Sequence, residues 1–230
     1  MKRIRHTVVA EVAAIGCVGA YNLVIPRIPQ RARLPANLGA ALALAGVARA
    51  VGIRASDLGL ARANARRGIR VGLAAAAPLA LGAATAVAIP RTRQLLADER
   101  ITGTSPSEAA FETLVRIPLE TAFAEEMIFR GVLLALGRGN RSNLSAVASS
   151  SMIFGLWHVV PTLTSLTRES NGWPDARATA STTAVVVTTA TAGAGFALLR
   201  LQADSVLAPI IAHATLNMVA FAGTRIARPR

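Results

Sequence analysis

Apolar runs alternate with short polar breaks along the whole chain. A helix that crosses a bilayer needs about 20 mostly apolar residues, and runs of that order lie at 7–25, 34–51, 71–89, 144–160, 179–201 and 205–223. Pro26-Arg27, Pro90-Arg91 and Pro161 mark three of their ends. The segment 106–136, counted as the fourth of seven in chain order, differs: it is long and helix-compatible but carries Glu108, Glu112, Arg116, Glu120, Glu125, Glu126 and Arg130, with Pro118 inside it. It reads as a helix that enters from the interface, is kinked or restarted near Pro118, and has its second half in the membrane. The fold class expected is therefore all-α: a polytopic membrane helical bundle of about seven transmembrane segments, between six and eight.

Between the second and third runs, the arginines at 54, 62, 66, 67 and 70 interleave with Leu58, Leu60 and Ile69. That pattern predicts a surface-lying connector whose cations meet anionic lipid head groups. The 7–25 run could also serve as a secretory leader, with small residues at Val18-Gly19-Ala20, but Glu11 interrupts it and further spans follow. A polar loop with Asn171, Gly172, Trp173 and Pro174 separates the fifth and sixth runs, and Gly193 and Gly195 in the sixth permit close helix approach. No repeat and no separate soluble domain is visible. The organisation expected is extra amino-terminal spans over 1–53, a membrane-embedded core over 54–223, and a basic tail over 224–230.

Composition agrees with the membrane and removes one alternative. The chain has 25 Lys+Arg against 12 Asp+Glu, a net charge of +13, yet it is 53% hydrophobic and only 4% aromatic. A basic nucleic-acid binder is polar throughout and offers aromatics for stacking, so no nucleic-acid partner is expected; the lipid bilayer is. The single cysteine, Cys17, excludes an intrachain disulfide framework and any cysteine metal cluster. Lys and Arg fall almost evenly on the two sides of the predicted spans, so they do not set an orientation; the arginine connector points to a cytoplasmic amino terminus.

Charged side chains inside spans cost about 2.5–3.5 kcal/mol each on insertion scales and therefore face the bundle interior, paired or at work. In Ala124-Glu125-Glu126-Met127-Ile128-Phe129-Arg130, Glu126 and Arg130 are four apart on one helical face and suit a carboxylate–guanidinium pair. Glu125 points about 100° away and has no cation four residues on. A free carboxylate in a low-dielectric cavity is what a general base requires. Equally, both glutamates could pair with Arg130 or Arg116 and hold helices together. Phe154 and His158 share a face in the fifth run, and His213 and Asn217 share one in the seventh. Each suits plain interhelical hydrogen bonding when taken alone. Together with a carboxylate they supply a base, proton handlers and oxyanion donors for adding water to a carbonyl.

These residues resemble the CAAX protease and bacteriocin-processing family, which includes type II CAAX prenyl endopeptidases and bacteriocin self-immunity proteins. Glu125, Glu126 and Arg130 meet its Glu-Glu-x-x-x-Arg motif, Phe154 and His158 its Phe-x-x-x-His, and His213 and Asn217 its His-x-x-x-(Asn/Asp/Ser). The flanks Phe129-Arg130-Gly131, Ile153-Phe154-Gly155, Leu207-Ala208-Pro209-Ile210 and Ser56-Asp57-Leu58-Gly59-Leu60 are similar too. The resemblance covers about 55–222.

It implies an intramembrane endopeptidase in the plasma (inner) membrane of a bacterium, cutting a membrane-associated protein or peptide. In such a site Glu125 activates water with His158, Arg130 holds Glu126, and His213 with Asn217 stabilises the oxyanion. A catalytic zinc takes three protein ligands and a water; only His158, His213 and a contested carboxylate are on offer here, so the expectation is catalysis without a cofactor, with zinc the alternative. The competing class is a non-catalytic immunity or scaffold protein that keeps the motifs for packing. A transporter fits less well, since no inverted repeat is visible. Substrate identity, cleavage site and oligomeric state are not encoded in these patterns.

Overall fold

The computed structural model describes residues 2–95, 101, 103–166 and 175–226. The loop residues Asn171, Gly172, Trp173 and Pro174, and Arg228 and Arg230 of the tail, lie outside them. Among the described residues every regular element is helical. Helix α1 runs Lys2–Val24, a 3-10 turn Ile25–Arg27 follows, and α2 spans Gln30–Ala50. After the connector come α3 (Ala65–Ala88), α4 (Pro90–Leu95), α5 (106–140), α6 (Asn143–Trp157), α7 (Val159–Leu166), α8 (Ala176–Ala203) and α9 (Leu207–Ile226).

Five stretches are long and apolar enough to cross a membrane: His6–Arg27, Arg62–Ala88, Asn143–Leu166, Ala176–Ala203 and Leu207–Ile226. Helices α2 and α5, expected as the other two spans, do not meet that measure. Arg31, Arg33 and Arg49 sit on α2, and α5 carries the charges of its motif. The protein is thus an integral membrane helical bundle with five spans identified by length and composition.

Side-chain caps mark several helix starts. Ser105 begins α5 with a capping box: its N–H donates to Glu108 (2.8 Å), and the Glu108 N–H donates to its hydroxyl (3.2 Å). The Ser105 N–H first, and the Ser105 side chain second, hold the exposed Glu108 carboxyl below its ordinary range. Ser142 caps α6 and Asp175 caps α8 more simply, each accepting the backbone N–H three residues on, of Ser145 and Ala178. Pro118 does not restart α5. The helix continues through it with widened, π-helical winding over Glu112–Phe123 and again over Met127–Leu133. Such winding is rare and collects at functional sites.

The second half of α5 is the centre of the bundle. All seven residues of Met127–Leu133 are buried, and burial continues through Gly137. A helix buried all round needs partners on every side, here α1, α2, α6, α8 and α9. Val9, Leu42, Leu81, Val187 and Leu198 point outward, as the bilayer requires. Glu11, the acid within the first span, is buried and accepts hydrogen bonds from Asn140 (3.0 Å) and Arg141 at the end of α5.

Glycines set two close approaches. A Cβ on Gly72 would lie 2.9 Å from Ile211 Cβ, so α3 packs backbone-close to α9; one on Gly155 would lie 2.7 Å from the Val186 carbonyl of α8. Gly195, expected to do the same, faces open space.

The connector is only partly a surface feature. Arg54, Arg62, Arg66, Arg67 and Arg70 are exposed, as expected, but Leu58 is fully buried. Arg200 of α8 is buried as well, and donates to the carbonyls of Asp57 (2.7 Å) and Ser56 (3.4 Å). The Val206 N–H donates to the Gly59 carbonyl at 3.0 Å. Gly59 sits in the left-handed region with φ +80, and a Cβ there would lie 2.4 Å from Arg200 Nε. Gly59→Ala therefore combines backbone strain with a clash, and should destabilise the protein by about 1–3 kcal/mol. A lower melting temperature in detergent is the expected result; wild-type melting would show that the connector is not clamped.

Candidate functional site

The site forms where α5, α6, α8 and α9 meet. Glu126 and Arg130, both with 0% side-chain exposure, make the i,i+4 pair that the spacing predicts: Arg130 Nη1 donates to Glu126 Oε1 at 2.9 Å. The same oxygen accepts from His213 Nδ1 at 2.8 Å. A carboxylate only accepts, so Nδ1 carries the proton and the other edge of the imidazole, Nε2, is left facing the site.

Arg130 is satisfied unusually. Its Nε and Nη2 have no hydrogen-bond acceptor. Aromatic faces surround it instead, with the guanidinium carbon 4.1 Å from the Phe154 ring centre, 5.4 Å from Phe196 and 5.8 Å from Phe129. A desolvated cation over a π face gains about 2 kcal/mol or more. Gly193 of α8 makes this cage possible, because a Cβ there would stand 2.8 Å from Nη2 and 3.0 Å from Phe154 Cδ1. Phe196, which the motifs do not include, also stacks on His213 at 4.9 Å and 18°.

Glu125 is in a different position. It pairs with neither Arg130 nor Arg116, and Arg116 is taken by Glu112 (2.6 Å) and Glu120 (3.2 Å). Oε1 of Glu125 accepts from the Trp157 indole N–H at 3.2 Å. Among the described residues Oε2 has no hydrogen-bond partner, as is also true of the buried Oε2 of Glu126, and it lies 3.9 Å from His213 Nε2. That separation is too long for a hydrogen bond. Glu125 and Glu126 against Arg130 leave one surplus negative charge in a buried cluster, which a second proton on His213 would cancel.

On its other side Glu125 borders a cavity of about 310 Å³, lined also by Arg33, Asn37, Glu120, Trp157 and Pro161. With Glu120 held by Arg116, Glu125 is the cavity's uncommitted carboxylate. Arg33 and Asn37 come from α2, so the amino-terminal spans contribute directly to the site.

His158 and Asn217 stand further out. His158 Nδ1 donates to the Phe154 carbonyl at 2.8 Å, and its ring packs on the Phe154 ring at 4.8 Å. Phe154 also touches His213, 6.0 Å between ring centres, so one phenyl separates the two imidazoles. Asn217, one turn beyond His213, is half-buried and makes no hydrogen bond with the cluster. Helical spacing thus finds Glu126, Arg130 and the isolation of Glu125, whereas Trp157, Phe196 and Asn37 carry no motif. A lone indole in an apolar span was the one available signal for Trp157, since a buried N–H needs an acceptor.

Zinc would need three convergent donors. Among the described residues no group of three His, Cys, Asp or Glu side chains is arranged to hold a metal ion, and His213 Nδ1 is occupied by Glu126. The donor set therefore does not fit that metal.

Residues 108–219 match the family model described as type II CAAX prenyl endopeptidase Rce1-like. No curated protein and no solved structure matches the chain. The matched segment holds Glu125, Glu126, Arg130, His158, His213 and Asn217, and leaves out α1 to α3.

Removing one partner of a buried ion pair leaves the other uncompensated, at about 3–5 kcal/mol. Arg130→Met should therefore lower melting temperature and membrane abundance sharply, and the double change Glu126→Gln with Arg130→Met should recover part of the loss. If the single variant melted like wild type, the pair would not be holding the bundle.

Proposed function

Since the chain belongs to the CAAX protease and bacteriocin-processing family, we propose that it is an intramembrane endopeptidase that hydrolyses a peptide bond of a membrane-associated protein or peptide, with Glu125 as general base. One observation carries this reading: of two adjacent glutamates, Glu126 is ion-paired with Arg130 and bonded to His213 through Oε1, while Glu125 has no arginine partner and borders a cavity. A bundle that needed charge only for packing gains nothing from that second carboxylate, because burying a carboxylate without a guanidinium partner is costly.

The substrate carbonyl enters from the cavity, and water occupies the space between Glu125 Oε2 and His213 Nε2. Glu125 takes a proton from that water as its oxygen attacks the carbonyl carbon. The carbonyl oxygen becomes an oxyanion, and His213 in its doubly protonated form donates to it from Nε2, with Asn217 on the same helix as the second donor. His158, packed on the Phe154 ring, bears on that water through the phenyl between the two imidazoles. The tetrahedral carbon then expels the amine, which receives the proton held by Glu125. Water and amide are consumed, and a carboxylic acid and an amine are formed. Every charge needed is supplied by the side chains, so no metal or other cofactor takes part. The two helices short of the apolarity measure, α2 and α5, complete the membrane domain in this reading, with 54–223 as the protease core and 1–53 as additional spans around its cavity.

Glu125→Gln keeps the size and hydrogen-bonding capacity of the side chain but removes the base. Membranes from cells carrying this variant should contain the protein at wild-type abundance, yet lack a carboxy-terminal or juxtamembrane fragment found with wild type. Loss of general-base catalysis lowers turnover by about 10²–10⁴-fold. An unchanged fragment set would identify a non-catalytic scaffold instead. Metal analysis of the purified protein should return no stoichiometric zinc, and chelator should leave turnover intact.

A further inference from the structure

Among the described residues Glu125 has one direct hydrogen-bond donor, and it is none of the residues that define the three motifs. Trp157 Nε1–H donates to Glu125 Oε1 at 3.2 Å. This fixes the rotation of the carboxylate: one oxygen is engaged by the indole, and the other is turned toward His213 Nε2, 3.9 Å away. A base is effective only when its free lone pair points at the proton it will take. Without the indole contact, the two oxygens could exchange places.

Trp157 is itself held, and from the far end of the sequence. It is the last residue of α6, where helical carbonyls lack intrahelical partners. Asn22 of α1 fills that role: its buried side-chain amide donates to the Trp157 carbonyl at 3.0 Å. The neighbouring Tyr21 ring stacks on the indole at 6.2 Å and 24°, and Phe129 of α5 closes the other side at 5.9 Å and 68°. Tyr21 also donates its hydroxyl to Asn37 Oδ1 at 2.6 Å, and Asn37 donates to the Glu120 carbonyl at 3.2 Å. Residues of α1 and α2 thus fasten both the helix that carries Glu125 and the residue that orients it, although neither helix lies within 108–219.

We propose that Trp157, locked by Asn22 and Tyr21, is the positioning residue for Glu125, so that the amino-terminal helix pair sets the geometry of the base. The inference rests on Glu125 acting as the base.

The full-length protein in nanodiscs tests this in two ways. The chain has two tryptophans, so in a Trp173→Phe background Trp157 is the only emitter. Glu125→Leu should then shift its emission to shorter wavelength, because the indole N–H loses a charged acceptor, while Glu112→Gln should not. Kinetics use an internally quenched peptide spanning the site cut in the Glu125-dependent fragment. Trp157→Phe keeps an aromatic ring against Tyr21 but has no N–H; it should lower kcat about 10- to 100-fold with KM unchanged, and Asn22→Leu should lower kcat in the same direction. A wild-type kcat in Trp157→Phe, a loss expressed only in KM, or an emission maximum indifferent to Glu125→Leu would each overturn the proposal. Failure of the underlying reading looks different: Glu125→Gln would still cleave, whatever Trp157→Phe does.

Discussion

A guanidinium and a carboxylate without exposed surface, enclosed by apolar helices, are what the rest of this bundle must accommodate. Coulomb attraction alone seldom offsets the desolvation of such a pair. The surroundings of Glu126 and Arg130 supply the remainder. His213 gives Glu126 Oε1 a second donor, three phenylalanine rings face the guanidinium, and Gly193 withdraws its side chain so that α8 can close over the cage. These contributions come from α5, α6, α8 and α9, so the four helices are brought into register by a single buried charge pair.

The same constraint divides the roles of two neighbouring glutamates. Consecutive residues on a helix point about 100° apart, so only one can face Arg130. Glu126 does, and becomes structural; Glu125 is turned toward the cavity and the indole. His213 spans the division, with Nδ1 on the structural carboxylate and Nε2 toward the other. One imidazole therefore links the cavity-facing carboxylate to the pair that holds the helices together.

Local periodicity is what made part of this legible in the sequence. The Glu126–Arg130 pair is an i,i+4 contact, and the long apolar spans are a matter of composition, so both follow from spacing alone. The contact between Asn22 and Trp157 spans 135 positions and that between Arg200 and Asp57 spans 143; neither has a local signature. Arg200 looked like one more cation at a helix end and is instead a second fully buried guanidinium. Pro118 carried a strong local signal for a break, but the wide winding of α5 absorbs its missing donor. Gly193 and Gly195 were indistinguishable on paper, because what separates them is whether a neighbour occupies the space, and the neighbour is Arg130.

The notch at Gly59 also has a bearing on how the chain is made. Its connector emerges from the ribosome after only two helices, yet its buried contacts are with Arg200 and Val206, near the other end. The carbonyls of Ser56, Asp57 and Gly59 must wait until α8 and Val206 have been synthesised. The connector is thus a clasp whose second half is the last part of the chain to be made, and a nascent chain that ends before α8 leaves it without the partners of its carbonyls.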